Sequence, residues 1–162
     1  MEEKLDSLDL SILCLLQSDC RLSISEIARV LKKPRTTIAS RLSRLKSLGV
    51  IRSYRAILDP KKLGFLLTAF IFITAKRGVE GAGNQIALAR RILESCSKNE
   101  GLWVEEISII TGRYDLMLKL RVKSLNYLTH FLINLLPRFG DVERSETFIV
   151  LHTIDELRPA PI

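Results

Sequence analysis

Residues 32–49 read KKPRTTIASRLSRLKSLG. Ile38, Leu42, Leu45 and Leu48 recur at intervals of three and four, which puts them on one side of a helix. Every other position in the stretch is Lys, Arg, Ser, Thr, Ala, Pro or Gly, and none is acidic. Pro34 suits the opening of this helix, where a missing N–H costs nothing, and Gly49 suits its C-terminal cap. A helix with one apolar side and an otherwise cationic, hydroxyl-rich surface is built to meet an anion.

The segment just upstream predicts a partner for it. In SISEIARVLKK, Ser23 is followed three residues later by Glu26, the signature of a reciprocal cap at a helix start. Ile24, Ile27, Ala28 and Leu31 are expected to form the buried side of that helix, which Pro34 halts. Before it, LDSLDLSILCLLQSD places Leu5, Leu8, Ile12, Leu13 and Leu16 near a 3.6-residue period. Three short helices with a tight joint between the second and third make a helix-turn-helix unit over residues 1–49, with the motif proper at about 23–42.

Charge points the same way. The chain of 162 residues carries a net charge of +7, but the distribution matters more than the total. Residues 1–31 hold three bases and six acids, whereas residues 32–62 hold ten bases and a single acid, Asp59. A net +9 within about thirty residues is a field suited to a polyanion.

Downstream, VIRSYRAILDPKKLG favours extended backbone and turns at Asp59-Pro60, so residues 50–64 are expected to form a linker strand. The remainder reads strand, helix, strand, strand, helix, strand. FLLTAFIFITA is the first strand, and the helix NQIALARRILESCSK should turn Ile86, Ala89, Ile92 and Leu93 inward. VEEISIIT and DLMLKLRV flank the turn Gly112-Arg113-Tyr114. SLNYLTHFLINLL, begun by Ser124 and halted by Pro137, leads to the last strand, VERSETFIVLHTI. The expected fold is therefore α+β: an N-terminal helix-turn-helix domain plus a C-terminal ferredoxin-like βαββαβ domain over residues 65–158. The first strand is apolar on both sides, with Leu67, Ala69, Ile71 and Ile73 on one and Leu66, Phe70 and Phe72 on the other. Helices can cover only one face of such a sheet, so a second copy of the chain is expected on the other.

The three cysteines, Cys14, Cys20 and Cys96, form no CxxC and no even set, which indicates a reducing compartment, and Cys14 is expected in the core. The N-terminus lacks an apolar signal core. The apolar run GFLLTAFIFITA is too short to span a bilayer as a helix, so a soluble cytoplasmic protein with no membrane role is expected.

The expected partner is double-stranded DNA, with the helix after Pro34 in the major groove. Arg35, Thr36, Thr37, Ser40 and Arg41 lie on its first turns, where a recognition helix reaches base edges. Arg44, Lys46, Arg21, Lys32 and Lys33 suit phosphates, which position without specifying, and Ser23 lies at a helix start that also favours phosphate.

The stretch LDSLDLSILCLLQSDCRLSISEIARVLKKPRTTIASRLSRLKSLGVIRSYRAILDPKKLG resembles the N-terminal domain of the Lrp/AsnC transcription regulators. ITGRYDLMLKL and VERSETFIVL continue the resemblance, so it covers nearly the whole chain. It implies a helix-turn-helix followed by a ferredoxin-like regulatory domain, homodimers joined through that domain and octamers built from them. It also implies an amino acid or related small molecule as effector. The family's ligand region includes the turn that here holds Gly112, Tyr114 and Asp115. Gly112 can take a positive φ and expose backbone N–H groups to a carboxylate, and Asp115 can accept from an α-ammonium group. Two departures stand out: Ser108 replaces a common aromatic, and the loop RGVEGAGNQ is long and rich in glycine.

Other chemistry finds little footing. His130 and His152 are far apart, neither a metal set nor a nucleophile constellation is apparent, and no cofactor fingerprint occurs. Trp103 is expected at the sheet edge. The runner-up reading is an Lrp-like sirohaem decarboxylase subunit, which would need histidines around a tetrapyrrole. A third is a metabolite-binding module without DNA binding.

Overall fold

The computed structural model describes residues 4–76, 82–154, 156 and 159–162. The chain divides into two compact units, residues 1–57 with 155–162 and residues 58–154. The glycine-rich loop singled out in the sequence falls mainly on residues 77–81, outside the described residues.

The N-terminal unit is three helices: α1 (Ser7–Ser18), α2 (Ile24–Leu31) and α3 (Arg35–Ser47). Each start has a physical cause. Asp6 caps α1, accepting from Leu8 N and Asp9 N, while the Asp9 carboxylate accepts from Asp6 N in return. Ser23 and Glu26 form the expected reciprocal cap on α2. Pro34 precedes the first residue of α3. The joint between α2 and α3 turns on Lys32, the one described residue other than glycine with positive φ, at 50°. The far end of α3 closes on Gly49, whose φ is +71°. Gly49 N donates to Lys46 O and Val50 N to Leu45 O, which satisfies carbonyls the helix leaves bare.

Ile12, Ile27, Ala28, Ile38, Leu42 and Leu45 form the buried core of this unit. Two expectations change here. Ile24 is 38% exposed, because it is the first residue of α2 and lies beyond the packed turn. Cys14 is exposed rather than core, since it sits two residues, over half a turn, from the inward-facing Ile12. Its thiol donates instead to the Ile162 carbonyl at 3.3 Å.

The C-terminal unit is a four-stranded antiparallel sheet in the order β2-β3-β1-β4. Its strands are β1 (Leu67–Ala75), β2 (Leu102–Ile109), β3 (Leu116–Val122) and β4 (Val142–Ile149). Helix α4 (Ala82–Ser97) joins β1 to β2, and α5 (Leu125–His130) lies between β3 and β4. This is the expected βαββαβ arrangement. Ala69, Ile71 and Ile73 of β1 meet Leu116, Leu118, Leu120 and Val122 of β3 beneath Leu88, Ile92, Leu128 and Phe131 of the helical layer. The inward stripe of α4 is Leu88, Ile92 and Cys96, spaced by four, whereas Ile86 and Leu93, expected inside, are 42% and 38% exposed. Burial pushes the Cys96 thiol up to about 11. Trp103 lies on the edge strand β2, against Phe65 and beneath the Arg121 guanidinium.

The expected linker strand over residues 50–64 is not formed in the single chain. Tyr54, Ile57 and Leu58 are 44%, 69% and 57% exposed there. A strand needs a neighbour to receive its backbone hydrogen bonds, and among the described residues no strand pairs with this segment.

Candidate nucleic-acid interface and ligand turn

Helix α3 is seated on Ile38, Leu42 and Leu45, so the opposite side faces outward. Successive residues turn by about 100°, which brings Thr36, Ser40, Ser43 and Ser47 to the middle of that outer side. All four are exposed, and all are small hydroxyl residues that let a helix approach another surface closely. Ser43 was absent from the residues assigned to DNA from sequence, although its spacing of three from Ser40 and seven from Thr36 is a legible signal. Thr37 is half-buried beside this stripe. Lys32, Lys33 and Arg35 are exposed at the N-terminal end of α3.

The remaining cations assigned to DNA from sequence, Arg21, Arg41, Arg44 and Lys46, have partners within the unit. Arg21 is bidentate on Asp19 at 2.9 and 3.0 Å, and that pairing holds the Asp19 carboxyl down to about 2. Lys46 Nζ lies 5.2 Å above the Tyr54 ring. Ser23 Oγ accepts from Glu26 N at 3.2 Å within its cap. Arg41, assigned to base edges from its place in the sequence, turns toward α1. Its Nη1 lies 2.5 Å from Asp6 Oδ2 and 3.3 Å from the Asp9 carboxylate. Arg44 Nη1 reaches the same Asp9 at 2.9 Å. Arg41 sits about 60° from the apolar seat of α3, close enough for its guanidinium to be drawn to these acids. The acids also depend on the capping geometry. The Asp6 carboxyl is held below its usual range by the Asp9 backbone N–H and then by Arg41.

At the candidate ligand turn, Gly112 is exposed with φ +116°, a conformation a side chain would strain. The Tyr114 hydroxyl donates to Glu146 Oε2 at 2.5 Å, and that bond raises the Tyr114 pKa. Arg113 lies 3.2 Å from the same carboxylate and over the Tyr114 ring. Asp115 faces inward. Its Oδ2 accepts from Ala75 N at 2.7 Å and its Oδ1 from Gln85 Nε2 at 3.0 Å. One carboxylate thus ties the end of β1, the start of α4 and the turn before β3. Ser108 sits two residues from Glu106 and donates to it.

No helix among the described residues is long and apolar enough to cross a membrane. Residues 5–52 match the family described as winged helix-turn-helix DNA-binding, and residues 102–160 match the Lrp/AsnC ligand binding domain. The regulatory protein AsnC of Escherichia coli is 32% identical over 91% of this chain and 90% of its own. Its solved structure superposes with a TM-score of 0.83, covering 98% of this chain and all of that one. The HTH-type transcriptional regulator FL11 of Pyrococcus horikoshii is 32% identical over all of this chain and 99% of its own. The feast or famine regulatory protein of M. tuberculosis, solved with L-methionine, is 28% identical with a TM-score of 0.81, over 97% of this chain and 99% of that one. These relatives are named as regulators, which leaves the decarboxylase reading without support. A helix-turn-helix whose third helix is free of acids, followed by this sheet and this ligand-binding half, places the chain in the Lrp/AsnC family of transcriptional regulators.

Proposed function

We propose that the chain is a cytoplasmic, sequence-specific DNA-binding regulator whose α3 enters the major groove. The observation that carries this reading is the coincidence of the +9 segment with a helix whose outer side is free of acids. Arg35, Thr36, Thr37, Ser40 and Ser43 face the base edges, and Lys32, Lys33 and Lys46 meet phosphate, joined by Arg44 where its pairing with Asp9 allows. The division of labour falls at residues 50–64, with DNA binding before and effector binding and assembly after. An amino acid is the effector, as supported by the relative solved with L-methionine and by the exposed positive-φ Gly112 turn. Because both Asp115 oxygens are engaged, Asp115 serves that site by holding the turn. The protein acts as a dimer or a larger even assembly. Phe72 lies 5.7 Å from the 54%-exposed Phe148 on the sheet face opposite the helices, an aromatic patch that a second copy would cover.

One binding assay tests all of this. Wild-type protein should enrich a duplex from a random library and bind it with two chains or a multiple of two per site. An amino-acid panel added to the same titration should change the affinity. Lys33→Ala should weaken the selected and scrambled duplexes alike and lower the salt slope by ~0.9. Ser40→Ala should cost about 1–3 kcal/mol on the selected duplex alone. Failure to enrich any duplex would overturn the DNA reading.

A further inference from the structure

Asp9 is the only fully buried carboxylate among the described residues. A carboxylate is taken out of water at a large cost unless charge and hydrogen bonds compensate it. Here the charged part of the compensation comes from one helix. Asp9 accepts from Asp6 N at 3.2 Å, and its other partners are Arg41 and Arg44, both on α3. The two arginines are three residues apart, one helical turn, so a single acid in the first turn of α1 grips two successive turns of α3. Asp6 adds a second hold on Arg41 while it caps α1.

The apolar seat of α3 sets how close the helix lies to α1 and α2, but hydrophobic contact is non-directional and tolerates a roll about the helix axis. Charge-assisted hydrogen bonds to a planar guanidinium are directional. They run along one flank of α3, between the buried side at Ile38 and Leu42 and the outer stripe Thr36, Ser40 and Ser43. A roll of α3 would stretch these bonds and swing the stripe sideways. Short hydroxyl side chains have little reach with which to correct such a swing.

We propose that Asp9 is a positioning residue for base readout: through Arg41 and Arg44 it fixes the rotation of α3 so that the hydroxyl stripe meets the base edges. The inference rests on the DNA-binding reading above. Asp9 itself, buried and of the same charge as phosphate, does not touch DNA. Arg41 then contributes to specificity from behind the recognition helix instead of at the groove.

The test uses the full chain, the duplex selected by the wild type and a scrambled duplex of the same composition, with a melting curve for each variant. Asp9→Asn keeps the shape and removes the charge. Its preference for the selected over the scrambled duplex should fall at least tenfold, with affinity for the scrambled duplex equal to or above wild type because an acid has been lost. Arg41→Lys should lose preference to a similar degree, and the double variant should lose little more than either single one. Should Asp9→Asn not fold, Asp9→Glu, which keeps the charge and shifts its position, is measured in its place with the same expected loss. Three results would overturn the inference: a folded Asp9 variant with wild-type preference, a proportional loss on both duplexes, or loss of preference in Arg41→Lys alone, which would mean that Arg41 reads a base directly. A wild type that enriches no duplex would instead remove the DNA reading on which this rests, and this inference with it.

Discussion

The two units treat their positive charges in opposite ways. On the open sheet face of the C-terminal unit, Arg113, Lys119 and Arg121 are matched by acids. Arg121, 7% exposed, lies 2.7 Å from Glu105, and Lys119 meets the same carboxylate at 3.2 Å. Strand pairing passes from Val104 to Glu106, so Glu105 is the extra residue of a bulge, which re-aims it toward both cations. Arg113 lies on Glu146, and in the helical layer Arg91 of α4 pairs with Asp141. At the entry to α3, by contrast, Lys32, Lys33 and Arg35 stand exposed in a segment with a single acid. Locally neutralised charge is structural, whereas charge left in excess on a surface is available to a partner. Arg41 and Arg44 show that the distinction also operates within one helix. They belong to the cationic segment by sequence and to the structural pairs by geometry.

The comparison can be broken or sharpened by experiment. The largest effect should come from the core beneath the cationic helix. Ile38→Ala removes a side chain with no exposure from a core of six buried residues and should cost about 2–5 kcal/mol. The chain's only tryptophan, Trp103, lies in the C-terminal unit, so its fluorescence reports that half. Ile38→Ala should lower the helical transition seen by circular dichroism and abolish DNA binding while the Trp103 transition stays in place. Equal shifts in both signals would show that the halves unfold as one.

A smaller effect is expected at Asp115. Asp115→Asn leaves one oxygen to accept and puts an amide where a carboxylate took two hydrogen bonds, at a cost of about 1.5–3 kcal/mol. The loss should appear as an earlier Trp103 transition. Weakened amino-acid binding with unchanged melting would instead return Asp115 to a direct ligand role.

The smallest effect is acid sensitivity of the N-terminal unit. Asp6, Asp19 and Glu26 all have folded-state pKa values below their ordinary ones, through the Asp9 backbone N–H, Arg21 and Ser23 respectively. A lowered pKa adds stability that is complete above the ordinary value and lost as pH falls through the folded one. The dichroism transition should therefore decline from about pH 4.5 toward about pH 2. It should remain level between about pH 5 and 7 so far as these three groups govern it. A decline beginning above pH 5.5 would assign the sensitivity to other groups.

Much of this was legible from one dimension because it depends on local periodicity and composition. The Ser23–Glu26 cap, the stop at Pro34, the closing turn at Gly49 and the buried side of α3 each involve residues within one or two helical turns. The order of strands and helices and the concentration of charge are likewise properties of neighbouring residues. What tertiary structure alone decided are contacts between residues far apart in the chain. Arg41 and Asp9 are separated by 32 positions, and only the packing of α3 on α1 brings the half-exposed Arg41 guanidinium to a buried carboxylate. Asp115 meets Ala75 and Gln85 across 40 and 30 positions, so a carboxylate that looks available in a turn is already occupied. Cys14, Ile86 and Leu93 are apolar positions whose burial depends on which flank of a helix finds a neighbour, and periodicity leaves that choice open by a fraction of a turn. The segment over residues 50–64 needs a strand from elsewhere before it can be one. Sequence determines which elements form and which surface carries the excess charge, because those follow from nearby side chains. Which charges are left exposed is decided by the fold, because a long-range ion pair exists only once the chain has brought its members together.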